Sequence, residues 1–177
     1  MSISSRRARL GLIAALLFAC VGCDQVTKNV VRDQIALGAT QSFMGDTLRL
    51  THAENPGAFL SMGASLPESA RVAIFQVGAS ILVAGLLGFA LFARLDTWSI
   101  VGFSLLAASG IGNLIDRVTN DGRVIDFMHI GFGFLRTGIF NVADMALLTG
   151  VFLLVLYSYW TRKAPPLSDA GGKSEAS

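Results

Sequence analysis

Charge is scarce in this chain of 177 residues: 15% are Asp, Glu, Lys or Arg, against 53% apolar residues. Such a balance is too apolar for an ordinary soluble domain and makes the bilayer the expected solvent. Histidine and cysteine are scarcer still, with two of each. There is no second cysteine pair, and His52 and His129 lie far apart in sequence, so the C-x-x-C spacing of Cys20 and Cys23 implies neither a metal site nor redox chemistry. Both cysteines read as small packing residues of an apolar helix. The histidines are expected in loops, and no nucleophile motif such as G-x-S-x-G accompanies them, which leaves no basis for Ser/His/Asp catalysis. No internal repeat is present.

What the sequence does contain is long apolar runs. From Val72 to Ala93 no charged residue occurs, enough to cross about 30 Å of hydrocarbon as a helix. Two further runs begin at Trp98 and Ile139, the last ending in the interfacial aromatics Tyr157, Tyr159 and Trp160. The N-terminal "RRARLGLIAALLFACVGC" imitates an export signal ending in small residues and a cysteine. With three spans downstream it reads instead as a retained first span. Cutting before Cys20 or Cys23 would detach most of that span from Asp24. The expected spans are thus about 10–31, 72–93, 98–117 and 139–160, forming with their connections one domain over 1–163. Arg6, Arg7 and Arg9 before the first span and Arg162 and Lys163 after the last place both termini in the cytoplasm. The segments 32–70 and 118–138 then lie outside. The first of these alternates short β-prone pieces with Gly and Pro, predicting a small sheet or hairpin on the membrane. Residues 164–177, rich in Pro, Gly and Ser, read as a disordered cytoplasmic tail.

Ionisable residues in spans are costly enough to mark function by default. At 1.5 Å per residue, Asp24 lies about 21 Å above the inner end of the first span, with Lys28 one turn higher. Asn113, Asp116 and Arg117 fall at the outer end of the third span. Asn141 and Asp144 are expected in the first two turns of the fourth, and Asp126 in the outer connection. All these groups share one level, near the outer face. A transporter would continue its polar residues to the inner side, with a site near the midplane. Asp24 and Lys28, four residues apart, suggest a structural ion pair. Asp116 reads as helix capping and interhelical pairing. Asp144 has no basic residue within a helical turn, and Asp126 is set among Val124, Ile125, Phe127 and Met128. Two carboxylates brought together in a low-dielectric place share a proton, the working state of an aspartic protease, although spacing alone does not show that these two meet.

Five pieces in order, "DQVTK" at 24–28, "ENPGAFLS" at 54–61, "GNLIDR" at 112–117, "VIDF" at 124–127 and "FNVAD" at 140–144, resemble bacterial lipoprotein signal peptidase, signal peptidase II, over about residues 10–160. The resemblance implies an all-α membrane protein: four transmembrane helices with a small periplasmic β-sheet that cradles substrate. It implies an intramembrane aspartic endopeptidase that removes the signal peptide from diacylglyceryl-modified prolipoproteins, cleaving just before the lipidated cysteine. The dyad maps to Asp126 and Asp144, and Asp116 is not a dyad position. Asp24, Lys28, Asn55, Asn113, Arg117 and Asn141 map to positions that orient the dyad or contact substrate and globomycin-type inhibitors. The implied protein is a multi-pass protein of the bacterial inner membrane, and a monomer is expected because all the matched motifs lie in one chain. Its partners are prolipoproteins and membrane lipids, with no cofactor, metal or nucleic acid. The chain departs from the family in the second motif, where Pro56 precedes "GAFLS" with Phe59 and Leu60 shifting the apolar pattern. The competing readings are a small membrane transporter and a non-catalytic membrane scaffold.

Overall fold

The computed structural model describes residues 5–58 and 62–163. Phe59, Leu60 and Ser61 of the altered motif and the tail expected to be disordered, 164–177, lie outside the described residues. The apolar runs become helices: α1 (Arg6–Gln34), a continuous helix over 68–92, α4 (Thr97–Thr119) and α5 (Val142–Lys163). Each is long and apolar enough to cross a membrane. The second span changes register along its length, from α2 (Glu68–Arg71) through a seven-residue π-helical segment (Val72–Gly78) into α3 (Ala79–Phe92).

Local chemistry sets the ends. Asp96 opens α4 by accepting from the Ser99 backbone N–H (2.9 Å) and hydroxyl (2.7 Å). α4 closes where Asp121 and Gly122 turn left-handed, which lets the Gly122 N–H reach back to the Arg117 carbonyl at 2.9 Å. At the opposite end of the bundle, Arg9 of α1 donates to the Ala90 and Ala93 carbonyls (2.7 and 2.8 Å), partnering groups that the end of α3 leaves open.

The most extensive helix contact is between α4 and α5. A Cβ on Gly102 would stand 2.6 Å from Leu154 Cγ, and one on Gly150 2.9 Å from the Gly102 carbonyl, so the two glycines permit the approach of the backbones. Ile13, Ala90 and Ile100 form an apolar cluster, and Phe89 meets Phe103 edge-on at 5.0 Å. Outward-facing Phe18, Ile81, Phe92 and Val155 are exposed, whereas Asp24, Lys28, Asp116 and Asn141 are buried. That inversion is the pattern of a chain solvated by lipid.

The two connections that were expected outside pair with each other. β1 (Thr40–Phe43), β2 (Leu48–Asn55), β3 (Val124–Phe132) and β4 (Leu135–Arg136) form an antiparallel sheet in that order. Ala53 faces Asp126 and Leu48 faces Ile130, with an irregularity in β2 between Leu50 and Ala53. Two expectations are corrected here. His52 and His129 lie on β2 and β3 rather than in loops, because pairing between distant segments made strands of both connections. His52 is buried, its Nδ1 2.9 Å from the Ile35 carbonyl. Likewise α5 starts at Val142, so Asn141 precedes the helix rather than lying within it.

Candidate active site

The site is assembled around Asn141, which is fully buried. Its side-chain oxygen accepts the Asp144 N–H (2.9 Å), while its own N–H donates to Asp144 Oδ2 (3.1 Å). This reciprocal cap opens α5 and fixes Asp144 in the first helical turn. The Asn141 amide nitrogen is left free to reach outward, and it donates to Asp126 Oδ1 at 2.7 Å and to Asn113 Oδ1 at 3.2 Å. One side chain therefore caps the helix carrying Asp144 and binds the carboxylate of Asp126.

Asp126 projects from β3 and is buried. Its second oxygen accepts from Asn55 Nδ2 at 3.0 Å. Asn55, the last residue of β2, also accepts the Gly57 N–H (2.9 Å) and donates to the Ala58 carbonyl (3.0 Å), which locks its amide toward the carboxylate. Burial pushes the Asp126 carboxyl up to about 6. The Asn55 hydrogen bond opposes that rise and the neighbouring Asp144 charge adds to it.

Beneath this pair lies a buried ionic knot. Lys28 Nζ sits 2.8 Å from Asp24 Oδ2, 2.8 Å from Asp116 Oδ2 and 3.0 Å from Asn113 Oδ1, so each ammonium proton has an acceptor. Asp24 Oδ1 crosses to accept the Ala143 N–H at 2.9 Å, completing the first turn of α5 from another helix. Asp116 Oδ2 accepts the Ile125 N–H at 3.0 Å, tying β3 to α4 one residue before Asp126. Asn113 passes the order upward: it accepts from Lys28 and extends its amide to Asp144 Oδ1 at 3.5 Å.

The structure thus joins Asp24, Lys28, Asn55, Asn113, Asn141, Asp126 and Asp144 into one network. Arg117 meets the carboxylates through its charge, while its hydrogen bonds go to backbone carbonyls. Its guanidinium donates to the Gly57 carbonyl at 2.8 Å and lies 5.5 Å from the Phe75 ring centre, bracing the loop that follows Asn55. Cys20 and Cys23 are free thiols on α1. Two residues were not singled out from the sequence for the parts they play, and a third does more than was read from it. Gln25 donates to Asp116 Oδ1 (2.9 Å) and to the Gly112 carbonyl (3.1 Å). Gly112 leaves the space that Asp24 fills, since a Cβ there would stand 2.6 Å from Asp24 Oδ2. Asp116, read as a cap and ion-pair residue, also anchors β3. The i, i+4 spacing of Asp24 and Lys28 was a visible signal for the knot, but nothing in sequence order announced the Ile125 or Ala143 backbone donors.

Two carboxylates bridged by a buried asparagine, one with a raised pKa, can share a proton and activate a water molecule. The profile of the family described as signal peptidase (SPase) II, Peptidase_A8, matches residues 16–160. The lipoprotein signal peptidase of Enterococcus faecalis is 36% identical over 155 residues, covering 86% of this chain and 89% of its own. That of Streptococcus pneumoniae is 33% identical over 146 residues, covering 82% and 90%. Two solved bacterial membrane enzymes are similar in structure. One has a TM-score of 0.75 at 28% identity, covering 94% of this chain and 95% of its own, and the other 0.71 at 30%, covering 84% and 92%. The profile match runs from within α1 into α5 and takes in the whole asparagine-centred network, and with the relatives' coverage it shows that the chain belongs to the signal peptidase II family.

Proposed function

We propose that this protein is an intramembrane aspartic endopeptidase that removes signal peptides from diacylglyceryl-modified prolipoproteins, cleaving just before the lipidated cysteine. Asp126 and Asp144 form the dyad. The observation that carries this reading is the Asn141 side chain, which binds the Asp126 carboxylate while capping the helix that holds Asp144. One carboxylate accepts a proton from the attacking water, and the other, protonated, donates to the scissile carbonyl oxygen. Asp126, pushed up to about 6 mainly by burial, is suited to hold that proton. Asn55, Asn113 and Asn141 keep the two carboxyls oriented, Lys28 with Asp24 and Asp116 holds the asparagine shell in place, and Arg117 braces the loop beside the substrate path.

In this reading both termini are cytoplasmic, the sheet lies on the periplasmic side of the inner membrane as a substrate cradle, and the protein acts as a monomer without a cofactor. The acyl chains and the signal helix of the substrate fix the scissile bond at the bilayer surface, so most of the orientation is supplied before chemistry begins. Globomycin-type inhibitors contact the same polar residues.

The test is a gel-shift assay on purified protein with a prolipoprotein before and after diacylglyceryl transfer. Wild type releases the signal peptide only from the lipidated form, and Asp126→Asn and Asp144→Asn release none while still inserting. Processing by either variant would remove the dyad from the mechanism, and failure of folded wild type on lipidated substrate would favour a non-catalytic scaffold.

A further inference from the structure

The end of the sheet farthest from Asp126 in β3 has two chemically different faces. The strand register places Phe43 opposite Leu48 and Leu48 opposite Ile130. Phe132, two residues beyond Ile130 on the same face, stands opposite Leu135. These five apolar residues therefore share one side of the sheet. The alternate positions are polar: Ser42 opposite Arg49, Arg49 opposite His129, and Arg136 opposite Gly131. On the polar side Asp46 gathers Ser42 (2.6 Å), Arg49 (2.6 Å) and Arg136 into one ionic cluster, stapling the β1–β2 hairpin to the β3–β4 hairpin.

Among the described residues, this apolar side is left largely open, with Leu48 half-buried. Phe132 is 75% exposed and Leu135 69%, and Phe134, at the apex of the turn that Gly133 opens with a positive φ, is 95% exposed. Phe43 and Ile130 are exposed as well, as is Met44 at the neighbouring hairpin tip. An apolar patch with a charged reverse side is an interfacial design. The choice of occupant follows from continuity with the spans. β3 follows α4 after a short turn, and β4 leads directly toward α5, so this sheet is tethered at both ends to helices that cross the bilayer.

We propose that this lip of the sheet is seated in the lipid of the adjoining leaflet. Phe43, Ile130, Phe132, Phe134 and Leu135 lie among acyl chains, and the Asp46 cluster faces water. The seat fixes the height of β3, and with it Asp126, relative to the bilayer. The proposal rests on the four spans lying in a membrane and not on the protease reading, so either can fail alone.

The experiment places single tryptophans in a Trp98→Phe, Trp160→Phe background reconstituted into phosphatidylglycerol and phosphatidylethanolamine vesicles. Phe43→Trp and Phe132→Trp are expected to be quenched by acyl-chain-brominated lipid severalfold more than Ser42→Trp, the neighbour of Phe43 on the opposite face. Iodide is expected to show the reverse order. A carbene-generating acyl-chain lipid, applied to the unsubstituted protein and mapped by mass spectrometry, is expected to label 130–135 together with the spans. Equal iodide access on both faces would overturn the proposal, as would labelling of the spans without 130–135. Shielding that depends on protein-to-lipid ratio would assign the patch to a second copy, and shielding only with prolipoprotein present would assign it to substrate. Either would also overturn it.

Discussion

The Asp126→Asn substitution removes the proton that burial keeps on this side chain. The carboxyl has an ordinary value of 3.8 when unfolded and about 6 in the fold. In the window between those values the native state still binds the proton and the unfolded state has released it, so raising the pH costs stability. The gap is worth roughly 3 kcal/mol, at 1.36 kcal/mol per tenfold change in proton affinity. This contribution is fully present below about 4 and lost above about 6. The amide of the variant cannot titrate. Equilibrium unfolding of wild type and Asp126→Asn in a nonionic detergent, followed from pH 4 to pH 8, isolates the effect because the other carboxylates are common to both proteins. The stability of wild type minus that of the variant should fall by about 3 kcal/mol across the window and then level off. Parallel curves would mean that Asp126 ionises as freely in the fold as in the unfolded chain. A difference that rose with pH would mean that the Asn55 and Asn141 amides outweigh burial, and the proton-holding role of Asp126 would be wrong.

Under the same reasoning kcat/KM of wild type should decline above an apparent pKa near 6 belonging to the coupled dyad, read from a pH profile with lipidated prolipoprotein. Lys28→Met leaves Asp24 and Asp116 buried without their shared cation and should cost about 3–5 kcal/mol in detergent unfolding; a loss below about 1 kcal/mol would show the knot to be hydrated. Asn141→Ala should lower both stability and cleavage, whereas Asn141→Asp should recover most of the cap, worth about 1 kcal/mol, without recovering cleavage, because a third carboxylate then faces Asp126. Gly112→Ala pushes against Asp24 Oδ2 and should reduce kcat at least about tenfold, the order expected when a small displacement disturbs a positioned site. Arg9→Ala, at the opposite end of the bundle, should cost about 1 kcal/mol of stability and leave kcat/KM unchanged.

The long helices were legible because charge-free runs of bilayer length have few other uses. The level of the polar residues followed from helix rise alone, and the Asp24 and Lys28 pair from their spacing. The sheet was only half legible. The β-prone 32–70 segment announced strands, but its partner, the strand bearing Asp126, lies far along the chain, and a non-local pairing leaves no mark in local composition. Asn141 was expected inside a helix because the apolar run began before it. Its part as a cap depends on Asp144 three residues later and on the backbone turning there. The π-helical register of Val72–Gly78 has no signature in hydropathy, which counts apolar residues without regard to how the backbone is bonded.

The ionic knot also bears on how the protein is made. Asp24 and Lys28 sit one turn apart on α1, so the first span emerges with a cation and an anion already opposed and enters the membrane nearly neutral. Asp116, Asn113 and the Ala143 N–H, the other partners of this pair, belong to α4 and α5, which are synthesised later. Until α4 and α5 arrive, the pair must satisfy itself or recruit water. Once they dock, Asp24 turns one oxygen to α5 and Lys28 turns to α4, and the first span to be made becomes the one that holds the last two in register.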